Sequence, residues 1–165
     1  MQCEIEFKEK RTARIPHEVF LTNLIGNHIL MFVSALGIVK SFWQPLAMVP
    51  LISFGILFYT LWRAHRSKQQ DSWFIMCHWQ VAKQRSLLFI GVLSFGLMMA
   101  FFAWLGYSQF NFMKEAAIGL AGGLSIIPVM ITTLALILME SDAMHQASKG
   151  QIADSIIKKY PNSNQ

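Results

Sequence analysis

Charged residues are absent from four long stretches of this chain, and each stretch is apolar almost throughout. Val19–Val39, Ser41–Trp62, Ser86–Met113 and Ala116–Met139 contain no Lys, Arg, Asp or Glu. A helix needs about 20 predominantly apolar residues to cross roughly 30 Å of hydrocarbon. The pattern therefore predicts four transmembrane helices, about 18–39, 44–62, 86–106 and 116–139. A soluble four-helix bundle would need a polar face on each helix, and none of these runs has one wide enough. The expected fold class is an all-α integral membrane protein: a four-transmembrane-helix bundle of two antiparallel hairpins with short cytoplasmic amphipathic segments. It divides into an N-terminal tail (1–17), the membrane domain (18–139, with a cytoplasmic loop at 63–85) and a C-terminal tail (140–165).

Composition agrees with that class. Of 165 residues, 54% are hydrophobic and 14% charged, against about 25% charged in ordinary soluble domains. The fourteen Lys and Arg residues are distributed unequally: twelve lie in the two tails and the middle loop, and only Lys40 and Lys114 lie in the two short connections. The positive-inside rule then puts both termini and the middle loop in the cytoplasm. The expected location is the inner membrane of a bacterium. Trp43, Trp104 and Tyr107 fall at the outer interface, and Tyr59 and Trp62 at the inner one, as aromatic belts require. The net charge of +5 is a topology signal, and no nucleic-acid partner is implied. Val33-Ser34-Ala35 resembles a signal-peptide cleavage site, but Asn27 and His28 interrupt the apolar stretch, so the first run is read as a retained span. Cys3 and Cys77 lie on the reducing side, and no disulfide is expected.

Proline and small residues suggest how the helices pack. Pro45 suits a first helical turn. Pro50 and Pro128 should kink the second and fourth helices, with Thr132 or Thr133 re-satisfying the carbonyl freed by Pro128. Gly119 and Gly123 form a GxxxG step in the fourth helix, and Gly96, Ala100 and Ala103 recur at helical spacing in the third. In lipid such stripes let backbones approach closely, within one chain or between two.

The chemistry concentrates in "TNLIGNHIL", Thr22–Leu30. Counting from Glu18 at 1.5 Å per residue, His28 lies about 15 Å deep, at the bilayer midplane. The midpoints of the other helices bring Ser53, Ser94 and Ser125 to the same depth. With Asn23 and Asn27, these residues are expected to form a buried polar layer, the amides and the imidazole donating to serine hydroxyls or kink-freed carbonyls. A transport path lined by this face is the second reading of His28, and haem or metal ligation the third. His17, His65, His78 and His145 fall near the cytoplasmic ends of four helices, where convergent imidazoles could hold a metal or haem. No ligand motif supports this, and no cofactor is expected. No Asp or Glu occurs within the four spans, so a proton relay would lack a carboxylate.

Partner contacts are expected at the cytoplasmic side. "DSWFIMCHWQVAKQR" (71–85) opens with a helix N-cap signal and offers Trp73, Phe74, Met76 and Trp79 as interfacial or partner anchors, with Lys83 and Arg85 toward anionic lipid. The alternative is a helix continuing into the cytoplasm as a docking post. Ile152, Ile156 and Tyr160 recur every four residues as a short amphipathic helix. Near the start, Cys3, Ile5 and Phe7 alternate with charge as a strand would. No P-loop, paired carboxylates, CxxC, HExxH or serine-nucleophile motif is present. The expected function is a small non-enzymatic subunit that anchors or assembles a larger inner-membrane complex of secretion, conjugation or respiratory type. Its partners would be the bilayer, other membrane subunits or further copies of itself. A small oligomeric transporter or channel is the alternative, followed by a membrane-permeabilising or exclusion protein of phage or plasmid type.

Overall fold

The structure, a computed structural model, describes residues 6–39, 41–42 and 44–161. Lys40, Trp43 and the Cys3–Ile5 part of the alternating segment lie outside them. Four long helices dominate: α1 Phe7–Ile38, α2 Gln44–Gln70, α3 Trp73–Gln109 and α4 Lys114–Lys149, each long and apolar enough to cross a membrane. A short α5, Asp154–Lys159, follows. The alternation expected near the start does not persist, because Phe7 and Lys8 already belong to α1.

The helices run well past the apolar stretches. At 1.5 Å per residue, the 37 residues of α3 reach about 55 Å, so its first turns project beyond any 30 Å slab. The region 63–85 is consequently two helix ends joined at Asp71 and Ser72, and 73–85 is the start of α3, the second of the two forms expected for that segment. The turn is tied by Arg63, which donates to both carboxylate oxygens of Asp71 at 2.7 and 3.0 Å and lies 5.0 Å over the Trp79 ring. At the far end of α4, Gly150 adopts φ 74°. Its N–H reaches the Ala147 carbonyl and the Gln151 N–H reaches that of Gln146. This Schellman closure requires a left-handed residue, which glycine supplies without strain.

Among the described residues, α1 and α3 form a central pair, while α2 and α4 flank them with no close backbone approach to each other. Two apolar clusters stack along the bundle. At the charged end, where α1 and α3 begin, Ala13, Ala64, Phe74, Ile75, Trp79 and Ala147 pack together, with Ile152 against them. Half-way along, Phe20, Leu24, Leu57, Phe89, Leu93 and Leu136 form the second cluster. Elsewhere the outer surface is strongly apolar, including Leu51, Phe101, Ile131 and Leu138, each more than half exposed.

The first cluster reassigns the aromatic anchors. Phe74 and Trp79 are only 4% and 2% exposed, so their area is buried against this chain. The Trp73 indole donates to the Tyr160 carbonyl at 2.9 Å, Ile156 is buried, and Met76 and Ile152 are half-buried. The segments expected to hold a partner instead hold α3, α5 and the ends of α2 and α4 together. The small-residue stripes also behave differently from expectation. A Cβ on Gly96 would come within 3.1 Å of the Ser125 carbonyl, so α3 and α4 meet there, whereas Gly119 and Gly123 have nothing within 4 Å. Ala100 borders a cavity and is not in a tight seam.

Candidate functional site: two buried polar layers

The first layer is built by a change of helical register. Thr22–Met31 is a π-helical segment of α1, and it coincides with the polar stretch. In an α-helix, residues five apart sit about 140° apart around the axis. An i→i+5 helix widens the turn and brings them together. Asn23 and His28 therefore reach the same acceptor: Asn23 Nδ2 donates to Ser53 Oγ at 3.0 Å, and His28 Nε2 lies 2.8 Å from that oxygen. Asn27 Nδ2 donates to the Val49 carbonyl at 2.8 Å and lies 3.2 Å from Asn23 Oδ1. Val49's carbonyl is not the one released by Pro50, which on an i−4 count is Leu46's. The Phe89 ring and the His28 imidazole meet nearly perpendicular, 4.8 Å between centroids.

The serines expected in this layer separate. Ser53 is its centre. Ser94 is exposed, because the buried face of α3 runs through Phe89, Leu93 and Gly96 and Ser94 is turned about 100° from Leu93. Ser125 is buried, but among the described residues its hydroxyl has no hydrogen-bond partner. It lies in a second π segment, Leu120–Ile126, just before Pro128. Neither threonine serves as expected there: Thr133 bonds the Val129 carbonyl at 2.8 Å, while Pro128 would free that of Leu124.

The second layer lies at the charged end, and it contains a carboxylate missing from the expected picture. Glu140 is fully buried. Its Oε2 faces His17 Nδ1, and its Oε1 accepts from Arg85 Nη1 at 3.0 Å. Arg85 also donates to the Met139 carbonyl at 2.9 Å, so it points into the bundle and not toward lipid. His17 Nε2 then lies 3.0 Å from His78 Nδ1. The result is a continuous chain, Arg85–Glu140–His17–His78, drawn from α1, α3 and α4. Burial, and then the neighbouring His17, push His78 well below the ordinary imidazole range. When His17 carries its proton on Nδ1 it donates to Glu140, and its Nε2 accepts from His78 Nδ1.

His65 and His145 are exposed and take no part, so four imidazoles do not converge. Among the described residues no set of three or more His, Cys, Asp or Glu side chains is arranged to hold a metal. The missed residues had one legible signal. Leu136, Glu140, Ala143 and Ala147 continue the buried face of α4 past its apolar run, as Ala82 and Ser86 do around Arg85. Between the two layers lies the second apolar cluster.

The fold defines a class: an all-helical bundle with four helices able to cross a membrane. No known family, characterised protein or solved structure matches the chain.

Proposed function

We propose that the chain is a multi-pass subunit of a bacterial inner-membrane complex, non-enzymatic, with both termini in the cytoplasm, and that it packs laterally against transmembrane helices of partner proteins. One observation carries this reading. Gly91, Gly119, Gly122 and Gly123 lie in helices, where glycine costs up to about 1 kcal/mol relative to alanine, yet none has a neighbour within 4 Å of a Cβ position. Packing inside the chain does not require them. Gly91 and Gly123 instead lie with Val92, Phe95 and Ile127 along an open, lipid-facing groove between α3 and α4. Close approach of a partner helix at small residues is what drives association where no hydrophobic force operates.

The test is co-purification in mild detergent. Wild type should bring down a stoichiometric set of membrane proteins of secretion, conjugation or respiratory type, and Gly91→Leu/Gly123→Leu should lose them while melting normally. A wild-type protein that purifies alone and monomeric would overturn the proposal. Reporter fusions after Lys68 and at the C-terminus should read cytoplasm, and one at Gln109 the outside. A cytoplasmic reading at Gln109 would remove the orientation.

A transporter reading has one specific observation behind it, the Arg85–Glu140–His17–His78 chain, which brings a buried carboxylate together with two imidazoles. The form in which α1 lines an oligomeric pore is less well supported. Asn23, Asn27 and His28 are buried within the chain, where all three are hydrogen-bonded to α2.

A further inference from the structure

The first two turns of α1, outside the apolar run, carry a stripe that is basic on one side. At about 100° per residue, Phe7, Lys10, Arg11 and Arg14 fall within roughly 100° of the helix circumference, and Glu9 lies on the opposite side. With Ser148 in the last turn of α4, these four residues line a cavity of about 250 Å³. Among the described residues no carboxylate lines it. Arg14 meets Glu18 at 3.2 Å, while Lys10 and Arg11 form no ion pair among the described residues. Depth places this pocket. Arg14 stands five residues before Val19, where the uncharged run begins, or about 7.5 Å along the helix. The headgroup layer on each side of the hydrocarbon is about 5–8 Å thick. Arg14 is therefore at the level of lipid phosphates. Lys10 and Arg11 stand about one turn further out, a distance that long basic side chains cover.

We infer that this pocket seats the phosphate of an anionic phospholipid headgroup. Charge complementarity sets the class of ligand. Two guanidinium forks and an ammonium around one small cavity suit the oxygens of a phosphate, and basic pockets between transmembrane helices bind acidic lipid headgroups. Size argues against a protein segment as the occupant, since five residues fall far short of the roughly 20–30 a side that a stable protein interface uses. Location argues for a lipid over a soluble phosphate, because lipid phosphates are concentrated in the layer where Arg14 stands. Arg85, expected to face anionic lipid, turns inward to Glu140, and the start of α1 takes over that contact. The inference rests on the membrane insertion proposed above and not on partner helices, whose groove is lined by other residues, so either can fail without the other.

The probes are dioleoylphosphatidylglycerol and dioleoylphosphatidylcholine, which share acyl chains and differ in headgroup charge, added to the full-length protein in mild detergent. At about ten times its dissociation constant, the phosphatidylglycerol should raise the wild-type melting temperature by about 3–6 °C over the phosphatidylcholine value. Lys10→Gln/Arg11→Gln should lose most of that difference. Both side chains lie at the surface of α1, so the variant should fold. Lys158→Gln/Lys159→Gln removes the same charge from exposed positions on α5 and should keep the difference. Inorganic phosphate at the lipid's concentration should not reproduce it. Equal melting in the two lipids, or an undiminished difference in Lys10→Gln/Arg11→Gln, would overturn the inference. An equal loss in Lys158→Gln/Lys159→Gln would overturn it in favour of diffuse surface charge, and a matching shift from inorganic phosphate in favour of a soluble ligand.

Discussion

Replacing Glu140 tests the least anticipated element of this protein, a fully buried carboxylate between an arginine and a histidine. In Glu140→Leu, Arg85 Nη1 loses its 3.0 Å carboxylate acceptor and keeps only the Met139 carbonyl, and the fully buried His17 loses the partner of its Nδ1. Breaking a buried pair by deleting one member costs about 3–5 kcal/mol, because the surviving charge is left uncompensated. For a chain of this length each kcal/mol lowers the melting temperature by about 2–4 °C, so Glu140→Leu should melt about 6–20 °C below wild type in mild detergent. Glu140→Gln should behave differently. Its amide oxygen can still accept from Arg85, and its amide nitrogen can donate to His17 Nδ1 once His17 adopts the other tautomer and donates from Nε2 to His78. Every hydrogen bond is then preserved at the cost of charge alone, for a loss of about 1–2 kcal/mol. The measurement is thermal melting of the three proteins side by side, with Arg85→Leu and the Arg85→Leu/Glu140→Leu pair completing a cycle. The double variant should be more stable than Glu140→Leu alone, since removing both charges removes the stranded one. A Glu140→Leu protein melting within 2 °C of wild type would refute the buried chain.

Ser53→Ala should destabilise by about 1–3 kcal/mol, since it strands Asn23 and His28 together. His28→Leu should cost less, as Ser53 keeps its bond from Asn23, and His28→Asn least of all; the reverse order in a melting series would mean that Ser53 is not the hub. Trp79→Ala should cost about 3–5 kcal/mol through the cavity it leaves, with unchanged membrane insertion in protease-protection assays. A normally stable Trp79→Ala protein would restore that side chain to the role of a free anchor. For pH, His78 has a depressed value in the folded protein, so below about pH 6.5 the unfolded chain takes up a proton that the folded chain refuses. Stability should fall as the pH drops below that point, and His78→Gln should reduce the slope. Melting curves between pH 5 and 8 that are parallel for wild type and variant would contradict this.

The apolar runs alone determined that the chain is four helices able to cross a membrane, because an uncharged stretch of twenty or more residues has few other stable solutions. The polar character of Thr22–Leu30 was equally legible, as was its joining to Ser53, since depth along a helix follows from counting residues. Direction around the axis does not follow from counting once the register changes. Only the π segment places Asn23 and His28 on one hydroxyl, and only the choice of buried face on α3, through Phe89, Leu93 and Gly96, leaves Ser94 outward while Gly96 meets α4. Glu140 and Arg85 stand one residue outside their apolar runs, where composition marks them as solvated ends. Whether such a residue faces water or another helix depends on how far the helices continue beyond the apolar slab. Here they continue for several turns, and the space between them is closed by Ala13, Ala64, Trp79 and Ala147. That closure buried Glu140 against a half-buried Arg85, and it turned Phe74, Trp79 and Ile156 from candidate anchors for a partner into the core of the chain itself. Long-range packing decides burial at a helix end, because local sequence there supports solvent and protein surroundings equally well.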